Sequence, residues 1–251
     1  MAFDFTGKNI IVSGGAMGIG RAVVEGVVHG GGSAIIVDIN LDAAKKTASE
    51  LGDRVSAYKM DLGNPAEIRE VIAKIISDKG RVHGVVNNGG MLSKCTFEEL
   101  SQEEWEKVIQ VNLTGCFTVI SALFPHMRES GGGRIVNVSS VASKVGGGLL
   151  GTAAYASSKA GINGLTKAIA KEGGKYGIYC NVVCPAYTRT AMTSTLQEDK
   201  AKEANTLNAI PLRRSADPSE IANMILFFMS DLASFVTGEI GDCDGGLTLD
   251  G

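Results

Sequence analysis

Lys8–Asp38, KNIIVSGGAMGIGRAVVEGVVHGGGSAIIVD, decides the fold. KNIIVS is a short apolar, β-branched run bounded by glycine and reads as a strand over Lys8–Ser13. Glycines follow, then a helical pattern from about Gly18 to His29, then a second strand, SAIIVD, over Ser33–Asp38. Strands that are apolar nearly throughout, rather than alternating, belong in a parallel sheet covered on both faces.

The same rhythm fills the chain. Helices are expected over Leu41–Leu51, Pro65–Lys79, Gln102–Arg128 (long or broken), Tyr155–Gly173 and Pro218–Ser230. Further strands are expected over Arg54–Met60, Val82–Asn87, Arg134–Ser139, Gly177–Cys184 and Gly238–Cys243. No break marks a domain boundary and no repeat appears. Residues 1–251 therefore read as a single doubly wound, Rossmann-type α/β domain: a parallel seven-stranded sheet with helices on both faces. Right-handed crossovers restrict its topology, and the reversal of strand order creates a crevice at the carboxyl ends of the strands.

The first turn suits that crevice. Gly14, Gly18 and Gly20 are spaced G-x-x-x-G-x-G between a strand and a helix, so backbone can approach a phosphate at the helix N-terminus. This is not the commoner G-x-G-x-x-G pattern. Asp38 ends the second strand, where a carboxylate can accept from a ribose diol and repels a 2′-phosphate; neither Met17 nor Ile39 offers a cation. NAD is expected in preference to NADP. Asp38 could equally cap the following helix.

A net charge of −3 with no basic run leaves no electrostatic footprint for nucleic acid or an anionic membrane. No apolar stretch is expected to approach the roughly 20 residues of a membrane span, the strongest being Met224–Met229. The N-terminus lacks the pattern of a secretory signal. Cys95, Cys116, Cys180, Cys184 and Cys243 are scattered and odd in number, which suggests free thiols in a cytoplasmic protein. Cys180 and Cys184 lack clustered His or Cys partners, so no metal site is expected.

Tyr155 and Lys159 stand one helical turn apart in AAYASSKAG and share a face. A lysine charge about 4 Å from the phenol, at an effective dielectric of about 20, favours the phenolate by roughly 4 kcal/mol. That lowers its pKa from about 10 to about 7, where it exchanges a proton at little cost. Asp61 could accept from an adenine amino group or simply start a helix. Asn87–Asn88–Gly89–Gly90 lies at the same sheet edge, as a cofactor approach or an ordinary turn. Asn112, inside the apolar run Val108–Gly115, needs its hydrogen bonds met. It could mark a kink whose freed carbonyl holds water near Lys159, or be a satisfied core amide.

Together these residues resemble the short-chain dehydrogenase/reductase family, in its single-domain form of about 250 residues. The match runs from Gly14–Gly20 through Asn87–Gly89, Asn112, Ser140, Tyr155 and Lys159 to Pro185–Thr190. The resemblance implies catalysis by Asn112, Ser140, Tyr155 and Lys159. Tyr155 would be the acid/base, Ser140 would bond the reacting oxygen, Lys159 would hold the nicotinamide ribose, and Asn112 would anchor a water relay. It implies cofactor contacts from Gly14, Met17, Gly18, Ile19, Gly20, Asp38 and Ile39. Others would come from Asp61, Leu62, Asn88, Gly89 and Gly90, then from Tyr155, Lys159, Pro185, Thr188 and Thr190. Ser13, Gly90 and Ala186 depart from the family's usual Thr, Ala and Gly, and none removes a reacting group. Strand alternation separates Ser139 from Ser140, and the family pattern selects the second over Ser139 or Ser143.

The irregular region 186–217 carries Met192, Leu196, Leu207, Ile210 and Leu212, and in this family such a segment closes over substrate. Substrate contacts are expected from Ser140, Leu149, Leu150, Tyr155 and Tyr187, with Met91 and Leu92, giving an apolar pocket for a small-molecule secondary alcohol or ketone. Arg189, Arg213 and Arg214 could instead bind an acidic group. The alternative activity is that of a 3-oxoacyl carrier-protein reductase, docking its carrier on Arg128 and Lys171. Two readings stand further off: a non-catalytic NAD-binding protein, and a serine hydrolase, which lacks its G-x-S-x-G elbow. Relatives are commonly homotetramers, and a homotetramer or homodimer is expected.

Overall fold

The computed structural model describes residues 3–147 and 152–249. Strands β1 (Asn9–Ser13), β2 (Ser33–Asp38), β3 (Val55–Lys59), β4 (Gly84–Asn87), β5 (Gly133–Val138), β6 (Ile178–Pro185) and β7 (Ile240–Cys243) form one sheet. Its order is β3-β2-β1-β4-β5-β6-β7 and every pairing is parallel. The chain starts at the centre, winds outward to β3, and returns to lay β4 on the other side of β1. This is the expected doubly wound sheet, with its switch point between β1 and β4.

The helices are α1 (Gly18–His29), α2 (Leu41–Leu51), α3 (Pro65–Lys79), α4 (Gln102–Ile109), α5 (Gly115–Glu129), α6 (Ala142–Val145), α7 (Ala153–Gly173), α8 (Ser194–Glu198), α9 (Lys200–Ala209) and α10 (Pro218–Met229). Alternate strand residues feed two cores. Ile10, Val12, Ile36 and Val136 meet Val23, Val27, Ile221 and Ile225 of α1 and α10 on one face. Ile11, Ile35, Val85 and Ile135 meet Ile68, Ile72, Val119 and Leu123 of α3 and α5 on the other. Each such fully buried aliphatic side chain contributes about 1.5–3 kcal/mol by leaving water.

Local chemistry sets the helix ends. Asn64 accepts from the N–H groups of Ala66 and Glu67, Pro65 occupies the first turn, and Gly80 closes α3 at φ 70. The long helix expected over Gln102–Arg128 is broken into α4 and α5 by a π turn at Gln110–Thr114. Taken as one 28-residue run, Gln102–Glu129 is long and apolar enough to cross a membrane by composition, contrary to the expectation that no stretch approaches that length. Much of its apolar content is the stripe of Cys116, Val119, Ile120, Leu123 and Met127, which packs against the sheet.

Candidate active site

A cavity of about 700 Å³ opens at the carboxyl ends of β1 and β4 and runs from the glycine turn to the start of α7. The turn is shaped by close approaches. Gly14 and Gly18 adopt φ 62 and 57. A Cβ on Gly14 would sit 2.9 Å from Gly89 Cα, and one on Gly20 only 2.1 Å from the Gly14 carbonyl oxygen. Asn88 Nδ2 donates to the carbonyls of Ser13 and Gly14. The Ser13 hydroxyl accepts from both Asn88 N and Gly89 N at 3.0 Å, fastening β1 to β4. The first turn of α1 has neither a side-chain cap nor an acidic residue, so its N–H groups remain available to an anion.

Asp38 lines the cavity. Its carboxylate accepts from Ala16 N at 3.3 Å and Asn40 N at 3.0 Å, while Asn40 caps α2 through Ala43 N. The helix-capping alternative for Asp38 therefore fails. Asp61 likewise lines the cavity, accepting from Gly63 N at 2.7 Å, and Asn64 takes the cap. Among the described lining residues the only cations are Lys107 and Lys159, borne by α4 and α7 and not by the β2 end.

At the other end, Ser139 turns into the core and donates to the Lys159 carbonyl at 2.9 Å. Ser140 faces the cavity, bonded to the Tyr155 phenol and accepting from Ala142 N at 3.1 Å. Both serines border the cavity, but the Ser139 hydroxyl is committed to the Lys159 carbonyl. Tyr155 and Lys159 do share a face, but the lysine stem runs past the ring. Its ammonium lies 5.6 Å from the ring centroid and donates to the Val138 carbonyl at 2.8 Å.

The electrostatics correct the expected phenol pKa near 7. Burial pushes Tyr155 up to about 12, with the Ser140 hydrogen bond pulling down and Cys184 pushing up. Burial also brings Lys159 down to about 8. The ring keeps some exposure to the cavity, so water moderates the shift, but its direction is upward. Desolvating the phenolate outweighs an ammonium that does not reach it.

Asn112 sits in the π turn and is buried. Its amide is fully engaged: Oδ1 accepts from Met91 N at 2.8 Å, and Nδ2 donates to Met91 O and to Ser158 Oγ. The amide is thus satisfied, and it stands at a local unwinding of the helix. A Cβ on Gly90 would lie 3.0 Å from Asn112 Oδ1 and 3.6 Å from Lys159 Nζ, so Gly90 keeps this corner close-set.

The remaining wall is the segment after β6. Pro185, Thr188 and Thr190 line the cavity, with Thr190 against Gly18. The helices α8 and α9 occupy ground expected to be irregular, and Lys94 Nζ reaches Thr195 of α8 at 3.2 Å. Tyr187 lines the wall, and its hydroxyl donates to Glu203 of α9 at 2.7 Å, which leaves the ring as the part it presents to the cavity. Of the expected lid residues, Met192 and Leu196 reach the cavity, whereas Ile210 packs under Tyr187 with Leu207 beside it and Leu212 is exposed. Leu149 and Leu150 lie outside the described residues. Asn112 and Gly20 stand behind the lining rather than in it. Val37 and Met60, at the ends of β2 and β3, and Lys107, Gln110 and Val111, of α4 and the π turn, line it unforeseen.

Beyond α9, Arg213 adopts φ 56, the only positive φ outside glycine among the described residues. Its guanidinium donates to the Asn208 carbonyl at the end of α9. Arg213→Gly is expected to be at least as stable as the wild type, and Arg213→Val less stable by about 1–2 kcal/mol, because a β-branched residue resists this conformation. Urea denaturation checks the ordering.

A profile of the family described as "Enoyl-(Acyl carrier protein) reductase" matches residues 14–248. The chain is 39% identical to the 3-oxoacyl-[acyl-carrier-protein] reductase FabG of Thermotoga maritima, covering 97% of this chain and 98% of that protein. It is 36% identical to the 3-alpha-(or 20-beta)-hydroxysteroid dehydrogenase of Mycobacterium tuberculosis, over 98% of this chain and 91% of that one. A solved structure from Beutenbergia cavernae with bound NADP superposes at a TM-score of 0.93 with 32% identity, over 98% and 99% of the two chains. A doubly wound parallel sheet, a glycine turn at its switch point and full-length likeness of this degree make the chain a member of the short-chain dehydrogenase/reductase family of oxidoreductases.

Proposed function

We propose that the protein is an NAD-dependent dehydrogenase interconverting a secondary alcohol and its ketone, with Tyr155 as general acid and base. One observation carries this: the Tyr155 phenol, with the Ser140 hydroxyl bonded to it, opens onto the same cavity as the glycine turn and Asp38.

The residues fit a dinucleotide. The turn leaves a cradle that a Cβ on Gly14 would obstruct, and the N-terminus of α1 is uncapped. Gly14, Met17, Gly18 and Ile19 would hold the pyrophosphate end, Asp38, Ile39, Asp61 and Leu62 the adenosine, and Asn88, Gly89, Gly90, Lys159, Pro185, Thr188 and Thr190 the remainder. When bound, the nicotinamide gives or takes the hydride. Because burial keeps the phenol protonated at neutral pH, Tyr155 stands ready to donate its proton to a ketone oxygen. Ser140 orients that oxygen, and the Lys159 ammonium favours negative charge on it. In the reverse direction Tyr155 must first ionise, so alcohol oxidation rises with pH above neutrality. Asn112 fixes the Met91 backbone against α7 and so holds the wall beside Lys159.

Purified protein is offered NAD and NADP separately with a panel of sugars, polyols, hydroxysteroids and small alcohols. Turnover with NAD should exceed that with NADP by about tenfold or more, a difference of 1.4 kcal/mol, since the Asp38 carboxylate repels a 2′-phosphate. Preference for NADP would refute the assignment to Asp38.

A second reading, reduction of a 3-oxoacyl thioester, is favoured by the 39% identity to the Thermotoga maritima reductase. Arg128 and Lys171, both exposed, would receive an acidic carrier, although Arg128 is paired with Glu129. Acetoacetyl thioester with NADH and NADPH separates the two activities. The region 186–217 serves as the substrate wall of a single domain in either case. A homotetramer or homodimer is in keeping with the exposed Phe117 on α5 and Phe235 before β7. The free thiols are in keeping with a cytoplasmic setting.

A further inference from the structure

Ser140 stands on a short segment whose position depends on its tertiary contacts. It follows β5 and leads into α6, which is a single turn of four residues. Helices this short are not stable alone. Gly146 and Gly147 come next, at φ 81 and 109. A backbone bond from Val141 N to the Pro185 carbonyl at 3.1 Å ties the segment to β6, and among the described residues two side chains tie it further. Ser143 Oγ donates to the Ser140 carbonyl at 2.6 Å and accepts from Asn163 Nδ2 of α7 at 3.0 Å. Lys144 Nζ donates to Asp242 Oδ2 of β7 at 2.6 Å, both side chains being mostly buried at 16% and 24% exposure.

The pair is poorly explained by stability. The second oxygen of Asp242 is buried without a hydrogen-bond partner. A buried ion pair roughly breaks even against an apolar pair of the same shape, so its distinctive contribution is direction. Asp242 lies opposite Cys184 in the β6–β7 register, and Ser143 Oγ approaches Cys184 Sγ at 4.0 Å. The salt bridge therefore spans from the rigid sheet, beside Cys184, to the turn that presents Ser140.

We propose that Lys144 and Asp242 are positioning residues, a clamp that anchors α6 to the sheet and thereby sets the Ser140 hydroxyl against the Tyr155 phenol. The proposal rests on the dehydrogenase reading. It concerns two side chains, Lys144 and Asp242, that are not among the residues lining the cavity.

The test uses the full-length enzyme with Asp242→Asn, Lys144→Met and the double variant Lys144→Met/Asp242→Leu, which restores an apolar pair. Small misplacements at a reacting centre cost up to about a hundredfold in rate, so kcat should fall by about ten- to a hundredfold in each. The dissociation constant for the dinucleotide should not change. The double variant should melt near the wild type while keeping the kinetic defect.

The pH profile of alcohol oxidation gives a second readout. Among the described residues, the ionisable groups around the phenol are Lys159 on its own helix and Cys184 on β6, with Lys144 and Asp242 beyond them. Losing the Ser140 hydrogen bond moves the rising limb to higher pH. Removing the Asp242 charge by simple electrostatics would move it lower, and removing that of Lys144 higher. A clamp predicts upward shifts from both. Wild-type kcat in any folded variant, or opposite shifts from the two single variants, would overturn it. If Tyr155→Phe also remained active, the dehydrogenase reading itself would fall; if Tyr155→Phe were inactive and the clamp variants normal, only the clamp would.

Discussion

Tyr155→Phe should lose about a thousandfold in kcat, within the 10²–10⁴ range of a positioned general acid or base, while binding the dinucleotide as the wild type does. The substitution deletes one oxygen and keeps the ring that fills the cavity floor. Ser140 retains a donor in Ala142 N, so the fold loses no more than about 1 kcal/mol. The pH dependence sharpens the expectation. In the wild type, burial raises the phenol pKa, so alcohol oxidation by the proposed mechanism should climb as pH passes from neutral to alkaline. The residual activity of the variant should lack that climb. Stopped-flow turnover from pH 6 to 10, beside a fluorescence titration of nucleotide, reads both quantities. Retained turnover in the variant refutes the role given to Tyr155.

Gly20→Ala should be damaging in a different way. Its Cβ would meet the Gly14 carbonyl oxygen at 2.1 Å and Asn88 Nδ2 at 2.7 Å. Neither neighbour can yield. The carbonyl is backbone, and the amide already donates to Ser13 and Gly14. Forcing a methyl into packed structure costs about 1–3 kcal/mol, and here the distortion falls on the turn itself. Nucleotide affinity should drop by about a hundredfold, the equivalent of about 2.7 kcal/mol. Gly164→Ala provides the contrast. This glycine lies inside α7 with nothing within 4 Å of its Cβ position, so alanine there should stabilise by about 0.5–1 kcal/mol through helix propensity alone. Equal binding by the Gly20→Ala protein would show that the turn does not cradle the ligand.

The fold was legible where apolar period and punctuation coincide. Gly18–His29, Ser33–Asp38 and Pro65–Lys79 were delimited in sequence by glycine, by Asp38 and by Pro65, and their bounds match. The break at Gln110–Thr114 was legible only as an alternative, through the amide of Asn112 in an apolar run; its π form was not, since one extra residue per turn leaves the apolar pattern of a long helix almost intact. The helices α8 and α9 escaped because they are mostly polar and bury little beyond Leu196, Glu203 and Thr206. At the site, spacing indicated that Tyr155 and Lys159 share a helix face. It could not indicate where a four-carbon stem ends, and that end is the Val138 carbonyl rather than the phenol. The commitment of Tyr187 to Glu203 was equally hidden, because it depends on how α9 folds back over the wall.

The two N–H groups gathered by the Ser13 hydroxyl belong to residues seventy-five and seventy-six positions downstream. A nascent chain that has emerged only as far as Gly80 thus already possesses the whole glycine turn, yet it has no Asn88 amide or Gly89 backbone to brace it. A nucleotide held at this turn would find its cradle braced only once β4 has paired with β1.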